Sequence, residues 1–381
     1  MIDEGIPITP ALSHLMGKAR VLSGRDIDAK AVADAEVLLV RSITRVDRHL
    51  LEGSKVRFVG SATAGTDHID TGALAQMGVA WAAAPGSNAL AVVEYVLSAI
   101  ALSGFLPRVL NGLPVGIVGL GEVGTRLAMR LQQLGCAVLA YDPLIKDWPD
   151  NVVRASLTDV LCQPVVSLHA SLHRQSRHPS HGFLDLKQAA CVAQAAERRG
   201  MGLFINAARG ELLTPEALTR LLASPLTVIL DTWPGEPVLS QAVLSGAAWV
   251  SPHIAGHSLD AKVRGSNMLA LALARWAGEE GYPLPTDFSA LSAEGHMLED
   301  RCGGTDAMAW AADFLVNQGT LGREDARIRA LGSGALSASD FDELRKTYQQ
   351  PSEWSGRAIR IPSGAPELRE VASRLGLNVL E

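Results

Sequence analysis

Cysteine is scarce in this chain of 381 residues, and basic residues are outnumbered by acidic ones. The 34 lysines and arginines against 40 aspartates and glutamates give a formal net charge of -6, which leaves no basic field for nucleic acid. The cysteines lack the spacing of disulfide frameworks or metal sites, and this favours a reducing compartment. They are Cys136, Cys162, Cys191 and Cys302.

The sequence also lacks a long apolar run. The longest stretch, Ala89 to Ser103, contains Glu94 and is too short to span a bilayer, so it predicts a buried helix. The amino terminus, MIDEGIP, is acidic and has no apolar signal core. We therefore expect a cytoplasmic protein that does not bind a membrane.

Short apolar runs alternate with helical patterns along most of the chain. From Val115 onward this alternation predicts a parallel sheet with helices on both faces. Its candidate strands after the first end at Asp142, His169, Asn206, Asp231 and Ser251. A smaller α/β region precedes this sheet, with buried strands predicted at Glu36 to Arg41, Val56 to Gly60 and Val79 to Ala82.

A glycine turn begins the second region. The apolar run Val115 to Val118 leads into Gly119, Gly121 and Gly124 at G-x-G-x-x-G spacing, and a helix, a strand and then Asp142 follow. In such a unit the glycines make a tight turn, admit a pyrophosphate and let helix and strand pack closely. An acid at the position of Asp142 accepts hydrogen bonds from ribose hydroxyls and repels a 2′-phosphate. The sequence therefore predicts NAD as the cofactor, in preference to NADP.

The helical pattern from Leu259 to Ala277 has no strand after it, which suggests that this helix returns to the first region. We expect a discontinuous, flavodoxin-like α/β substrate domain of residues 1–92 and 258–284. A Rossmann-type doubly wound domain of residues 93–257 is inserted in it. Residues 285–381 form a small C-terminal α+β domain.

Three charged residues lie just beyond predicted strand ends, where ligands gather in open parallel sheets. They are Arg209 in NAARG, Glu236 in DTWPGEP and His253 in SPHIAG. A histidine base, a carboxylate that orients it and an arginine for a substrate carboxylate are what oxidation of a hydroxyl by hydride transfer requires. A lone histidine is more often structural, but the three together predict a catalytic site.

Further histidines lie near another strand end, at positions 169, 173, 178 and 181. Their spacing is irregular, and no acidic cluster accompanies them. We interpret them as solvated loop residues and expect no metal site, with His169 lining the cofactor site.

The motifs GIVGLGEVG, INAARG, DTWPGEP and SPHIAG, in this order, resemble those of the D-isomer-specific 2-hydroxyacid dehydrogenase family. Further segments resemble the members of this family that oxidise 4-phospho-D-erythronate. The tail segment FDELRKTY is the most discriminating of them, because phosphoglycerate dehydrogenases end in different domains. The others are LLVRSITRV from Leu38, FVGSATAGTDHID from Phe58, AAPGSNALAVVEYV from Ala83 and HIAGHSLDAKVRG from His253.

The resemblance assigns roles to individual positions. Arg209, Glu236 and His253 match the catalytic trio of the family. Cofactor-binding positions fall on Asp142, Ala207, Ala208, Asp231 and Gly256, in addition to the glycines of the turn. Substrate-binding positions fall on Ser42, Thr63 and His257.

Three positions depart from the family pattern. His257 replaces a tyrosine, Ala170 a threonine and Gly5 an asparagine. The histidine can still donate a hydrogen bond, whereas Ala170 cannot. Substrate and cofactor contacts are therefore less firmly predicted than the catalytic trio.

The resemblance implies NAD-dependent oxidation of 4-phospho-D-erythronate to (R)-3-hydroxy-2-oxo-4-phosphooxybutanoate, in the biosynthesis of pyridoxal 5′-phosphate. It also implies a homodimer formed through the C-terminal domain. Two alternatives stay open: a dehydrogenase for another D-2-hydroxy acid, such as 3-phosphoglycerate, and a non-catalytic NAD(H)-sensing protein. Candidate ligands of the substrate phosphate are Arg41, Arg45, Lys262 and Arg264.

Overall fold

The computed structural model describes residues 1–174, 176–281, 297–298, 306–332 and 334–381, which form two compact units. Unit 1 comprises residues 1–88 and 257–281. Unit 2 comprises residues 89–256 and the described residues from 297 onward. None of the helices in these ranges is long and apolar enough to cross a membrane.

The strands and helices alternate in both units. The strands are β1 (Ile2–Asp3), β2 (Val21–Leu22), β3 (Val37–Val40), β4 (Phe58–Ser61), β5 (Ala80–Ala82), β6 (Val115–Val118), β7 (Val138–Tyr141), β8 (Val153–Arg154), β9 (Val165–Leu168), β10 (Leu203–Asn206), β11 (Thr227–Leu230), β12 (Trp249–Val250), β13 (Ala358–Arg360) and β14 (Asn378–Leu380). The helices are α1 (Pro10–Met16), α2 (Ala29–Val32), α3 (Arg48–Leu51), α4 (Thr71–Met77), α5 (Ala89–Leu102), α6 (Leu106–Leu110), α7 (Glu122–Gln133), α8 (Leu157–Leu161), α9 (Leu186–Arg199), α10 (Pro215–Leu222), α11 (Gln241–Gly246), α12 (Leu259–Glu279), α13 (Ala307–Gln318), α14 (Leu321–Arg329), α15 (Ala338–Lys346) and α16 (Pro366–Arg374).

Unit 1 is a five-stranded parallel sheet in the order β2-β1-β3-β4-β5, the flavodoxin-like order. Helix α12 packs on it although this helix lies far along the chain. The Ser266 hydroxyl donates to the Pro7 carbonyl at 2.6 Å. The same face of the sheet buries a core of side chains from the strands, α1 and α12, namely Ile2, Ile6, Leu12, Leu39, Phe58, Leu269 and Leu273.

Unit 2 contains a seven-stranded parallel sheet in the order β12-β11-β10-β9-β6-β7-β8. The chain starts in the middle at β6, runs to one edge through β7 and β8, and then crosses to β9. The order therefore reverses between β6 and β9, and α/β sheets bind ligands at the carboxyl ends of the strands beside such a reversal. The predicted α/β fold with a Rossmann-type sheet is confirmed.

The predicted strand ends agree with the structure to within one residue, because buried parallel strands are uninterrupted apolar runs. The apolar stretch from Ala89 forms α5, which is buried along almost its whole length. The sequence pattern missed the two-residue strands β2 and β8, which are too short for a periodic signal.

The C-terminal segment belongs to unit 2. Helix α13 packs on α5, α14 packs on β12, and β13 pairs with β14 in parallel. Trp310 stacks on Phe314, whose ring meets Trp354 edge-on. The three-domain division stays a prediction, and its boundary at residues 284 and 285 lies outside the described residues, as does Cys302.

Candidate active site

The glycine turn between β6 and α7 is as tight as the motif predicts. Gly119 has a φ of +94°, and a Cβ there would lie 2.5 Å from the Ala170 amide nitrogen. A Cβ on Gly124 would lie 1.9 Å from the Gly119 carbonyl oxygen. A Cβ on Gly121 would meet no atom within 4 Å. Packing thus requires glycine at the first and third positions, whereas the second faces open space, as a site for close approach of a pyrophosphate should.

Asp142 holds this turn from the end of β7. One carboxylate oxygen accepts from the Leu120 amide at 2.7 Å, and the other accepts from the Leu144 amide at 2.8 Å. Gly121 precedes helix α7 at the N-cap position and has no side chain to cap the first amide groups. Such a helix start is a site for anionic phosphate, so this region fits a dinucleotide.

His253 and Glu236 lie together in the loops that follow β12 and β11. The His253 Nδ1 is 2.6 Å from the Glu236 Oε1, and the two side chains are 33% and 22% exposed. Because the carboxylate accepts, Nδ1 carries a proton, and in the neutral ring the lone pair is therefore on Nε2. The pair is oriented and accessible, which a general base requires.

The backbone at His253 has a φ of +54°, which is uncommon for a residue other than glycine. Asp231 holds this conformation. Its buried carboxylate accepts from the Ile254 amide at 2.8 Å and the Ala255 amide at 3.0 Å, and its carbonyl accepts from the His253 amide at 3.0 Å. Burial raises the pKa of Asp231, although these donors favour its charged form.

A second network continues from the same carboxylate. The Ser251 hydroxyl donates to Asp231 at 2.7 Å and lies 2.7 Å from the Tyr95 hydroxyl on α5. All three side chains are buried. The loop that carries His253 is therefore fixed on both sides by hydrogen bonds.

Arg209 lies in the loop after β10, which the buried Asn206 organises. The Asn206 amide donates to the carbonyls of Arg209 at 3.1 Å and Thr232 at 3.2 Å, and its oxygen accepts from the Ala208 amide at 3.2 Å. The guanidinium donates to the Ala208 carbonyl at 2.9 Å. Ala207, Ala208 and Arg209 are all partly exposed.

Gly210 joins this loop to the loop of Glu236. A Cβ at Gly210 would lie 2.0 Å from the Trp233 carbonyl oxygen, so the two backbones touch. The Trp233 indole donates to the Val238 carbonyl at 2.8 Å, which closes the turn that carries Glu236. The loops of Arg209 and Glu236 are thus in direct contact.

The remaining histidines of unit 2 behave differently from one another. His169 is buried, its Nε2 lies 2.8 Å from the Ser167 hydroxyl, and burial lowers its pKa to about 3. It stays neutral beside Gly119 and Gly124. His178 and His181 are exposed. Within the described ranges, no group of histidine, cysteine, aspartate and glutamate could hold a metal ion.

The predicted substrate residues belong to unit 1. Ser42 is exposed after β3, and His257 is partly exposed before α12. Thr63 follows β4, where its hydroxyl donates to the Gly65 carbonyl at 3.0 Å and lies 2.8 Å from the Ser61 hydroxyl. Gly256, a predicted cofactor residue, is partly exposed at the end of the loop that Asp231 holds. The binding roles of all these residues stay predictions.

Sequence reasoning missed the residues that position the site. The apolar pattern predicts Asn206 and Ser251 only as strand ends, and it predicts no role for Trp233 or Gly210. A polar residue at the end of a fully apolar strand is the signal that could have found Asn206 and Ser251, because a buried polar group needs hydrogen-bond partners.

Comparison with known proteins is consistent with this geometry. Residues 13–295 match the family model of the D-isomer specific 2-hydroxyacid dehydrogenase catalytic domain. An erythronate-4-phosphate dehydrogenase of Pseudomonas entomophila is 39% identical over 99% of this chain and 98% of its own. One of Yersinia enterocolitica is 34% identical over 99% of this chain and 98% of its own.

Solved structures share the fold at lower identity. D-lactate dehydrogenase of Aquifex aeolicus, in complex with NAD and lactic acid, is 19% identical and superimposes with a TM-score of 0.58. The match covers 74% of this chain and 95% of that one. From the family model and the near full-length relatives together, the chain belongs to the D-isomer specific 2-hydroxyacid dehydrogenase family, in the branch of the erythronate-4-phosphate dehydrogenases.

Proposed function

We propose that this protein oxidises the 2-hydroxyl of 4-phospho-D-erythronate with NAD, giving (R)-3-hydroxy-2-oxo-4-phosphooxybutanoate. The observation that carries the proposal is the 2.6 Å contact between His253 and Glu236 in the unit that holds the glycine turn. The names of the near full-length relatives support the choice of substrate.

In this reaction His253 is the general base. Glu236 accepts a hydrogen bond from the Nδ1–H group, so the lone pair of Nε2 is free to take the proton of the substrate hydroxyl as the carbonyl forms. The ring then carries a positive charge, which the adjacent carboxylate stabilises, as in other histidine–carboxylate pairs. Asp231 acts through the backbone and keeps the ring in place.

Arg209 binds the substrate carboxylate or the developing carbonyl oxygen. A guanidinium offers a planar fork of donors to two oxygens, which a lysine cannot reproduce. The Gly210 contact with the Trp233 backbone holds the loop of this arginine against the loop of Glu236. The two loops therefore present their side chains as one unit.

Residues of the glycine turn, Gly119, Gly121 and Gly124, would hold the pyrophosphate of NAD. Asp142 would contact the ribose, and its negative charge disfavours the 2′-phosphate of NADP. Bound NAD would supply the acceptor for the hydride that leaves carbon 2 of the substrate. Ala207, Ala208, Asp231 and Gly256 complete the proposed cofactor site.

We further propose that the protein acts in the cytoplasm, in the route to pyridoxal 5′-phosphate. Its C-terminal segment forms a homodimer interface, as the family resemblance implies. Light scattering measures the molar mass of the full chain, and a value near the 40.3 kDa of one chain at micromolar concentration would contradict the dimer.

A turnover screen tests the proposed function. Purified protein is offered 4-phospho-D-erythronate, D-erythronate, 3-phosphoglycerate and D-lactate, each with NAD or NADP, and reduced cofactor is followed by absorbance. We expect the highest kcat/KM with 4-phospho-D-erythronate and NAD. A preference for 3-phosphoglycerate would identify a different dehydrogenase, and tight NAD binding without turnover of any acid would identify a sensing protein.

A further inference from the structure

Unit 1 carries two neighbouring cations at the carboxyl ends of its central strands. We propose that Lys262 and Arg41 bind the 4-phosphate of the substrate. The inference rests on the proposed function, because it assigns part of the substrate of that reaction to residues of this chain.

The two side chains lie at the same edge of the sheet, where β3 ends and α12 begins. Arg41 directly follows β3, and Lys262 lies in the first turn of α12. One turn later, a Cβ on Gly265 would lie 3.0 Å from the Ala62 carbonyl, just after β4, and Ser266 donates to the carbonyl of Pro7. Residues three and four apart share a helix face, so Lys262 lies on the face of α12 that meets the strand ends.

Arg41 is fixed in this place by a buried carboxylate. Its Nε donates to the Asp3 Oδ1 at 2.7 Å, and the Gly5 amide donates to the same oxygen at 2.8 Å. The Asp3 side chain is 0% exposed, whereas the Arg41 side chain is 30% exposed. The guanidinium therefore has one side held by the protein and another accessible to a ligand.

Lys262 is the second cation of this site. In the part of the chain that the structure describes, this ammonium has no hydrogen-bond or ion-pair partner, although the residue is half-buried. Burial and then the positive charge of Arg41 lower the pKa of Lys262. Asp3 balances only one of them, so an anion is needed to balance the other.

The other two basic candidates are already engaged elsewhere. Arg45 has a side chain that is 83% exposed and pairs with Asp47 at 3.1 Å. Arg264 donates to the carbonyl of Ser87. Neither combines burial with an uncompensated charge, so the pair of Lys262 and Arg41 is the better phosphate site.

A phosphate monoester suits the pair. It carries a charge between about -1.5 and -2 at neutral pH and has three acceptor oxygens. Arg41 and Lys262 together offer several donors, and the exposed Ser42 hydroxyl is adjacent in sequence to Arg41. A carboxylate alone would leave one positive charge of this site less well balanced.

Lys262→Met provides the test, because it removes the charge and keeps the length of the apolar stem. We expect the KM for 4-phospho-D-erythronate to rise about tenfold to a hundredfold, the value of a lost charge-assisted hydrogen bond. The kcat/KM for unphosphorylated D-erythronate and the Kd for NAD should stay unchanged. Arg45→Met is the matched control, and it should leave all of these constants unchanged.

An unchanged KM for the phosphorylated substrate in Lys262→Met would overturn the proposal, and so would an equal loss for both acids. Arg41→Lys, which keeps a charge beside Asp3, should raise the same KM in a protein of unchanged melting temperature. Calorimetric titration with inorganic phosphate separates this inference from the proposed function. Phosphate bound by the unmutated protein and not by Lys262→Met supports the site even if 4-phospho-D-erythronate is not turned over, whereas equal binding by both refutes it.

Discussion

His253 owes its orientation to two carboxylates that act on different parts of the residue. Glu236 contacts the ring, while Asp231 accepts from the backbone amides of the two residues that follow, Ile254 and Ala255. The backbone at this position has a positive φ, which costs of order 1 kcal/mol or more for a residue with a side chain. The contacts of Asp231 supply the compensation, and so they place the base rather than take part in the chemistry.

Removal of the base should separate turnover from cofactor binding. We expect His253→Ala to lower kcat by about a hundredfold or more, the contribution of general base catalysis. The Kd for NAD should change little, because Gly119 and Asp142 build the pyrophosphate turn elsewhere on the sheet. His178→Ala, in an exposed loop, is the control. Normal kcat in a folded His253→Ala protein would show that another residue takes the proton.

The charged residues of the site were predictable from the sequence, because each follows a strand whose apolar run marks its end. The residues that position them were not. The hydrogen bonds of Asn206 and the contact of Gly210 with the Trp233 carbonyl depend on loop conformations, and no periodic pattern encodes these. The positions of charged residues at strand ends are thus easier to predict from a sequence than the hydrogen bonds that hold their loops.

At the scale of elements, the C-terminal helices brace the loops of the site. The Phe341 ring on α15 meets the Trp233 ring edge-on at 5.8 Å, and Leu336 and Leu239 exchange backbone hydrogen bonds of 3.0 and 2.8 Å. On α14, Asp325 accepts from the Val250 amide at 2.9 Å, at the end of β12. The chain leaves β12 directly for His253, so the segment contacts both the loop that carries Glu236 and the strand that leads to His253.

Phe341→Ala should reveal this brace. Phe341 is 3% exposed, so its truncation should lower the free energy of unfolding by about 3 kcal/mol or more. Because Trp233 loses its support, kcat should also fall at temperatures where the variant is folded, with the Kd for NAD retained. Phe341→Leu keeps an apolar contact, so its free energy of unfolding and its kcat should lie between those of the unmutated protein and Phe341→Ala. Full activity in folded Phe341→Ala would show that the position of Trp233 does not depend on its contact with Phe341.

The sequence predicted helices in this segment but not the surface on which they pack. An amphipathic pattern reveals that a helix has an apolar face, and it does not reveal the partner of that face. Only contacts between distant positions, such as that of Phe341 with Trp233, identify the partner. The sequence therefore predicts a third domain without indicating which surface its helices pack on.

At the scale of the whole molecule, a buried acid links α5 to the C-terminal segment. The Glu94 carboxylate accepts from the Trp354 amide at 3.0 Å and from the Ser355 amide at 2.8 Å. Burial raises the pKa of Glu94 from 4.5 to about 8. The folded protein therefore binds more protons at this site than the unfolded chain between these two pH values.

Stability should consequently fall as the pH rises through this window. The contribution of Glu94 is complete below pH 4.5 and is lost as the pH rises toward about 8. Glu94→Gln cannot ionise, so the decline in melting temperature between pH 5.5 and 8.5 should be smaller in this variant than in the unmutated protein. Parallel melting curves for the two proteins across this range would contradict the assignment.

The return of α12 to unit 1 fixes an order for folding on the ribosome. Ser266 and Pro7 are 259 residues apart, and the core that holds Ile2, Leu39 and Phe58 is completed by Leu269 and Leu273. Until those late residues emerge, the core on this face of the first sheet is incomplete, whereas strands β6 to β12 of the second sheet are already synthesised. The amino-terminal strands are synthesised first, but their core can be completed only after α12 has been synthesised.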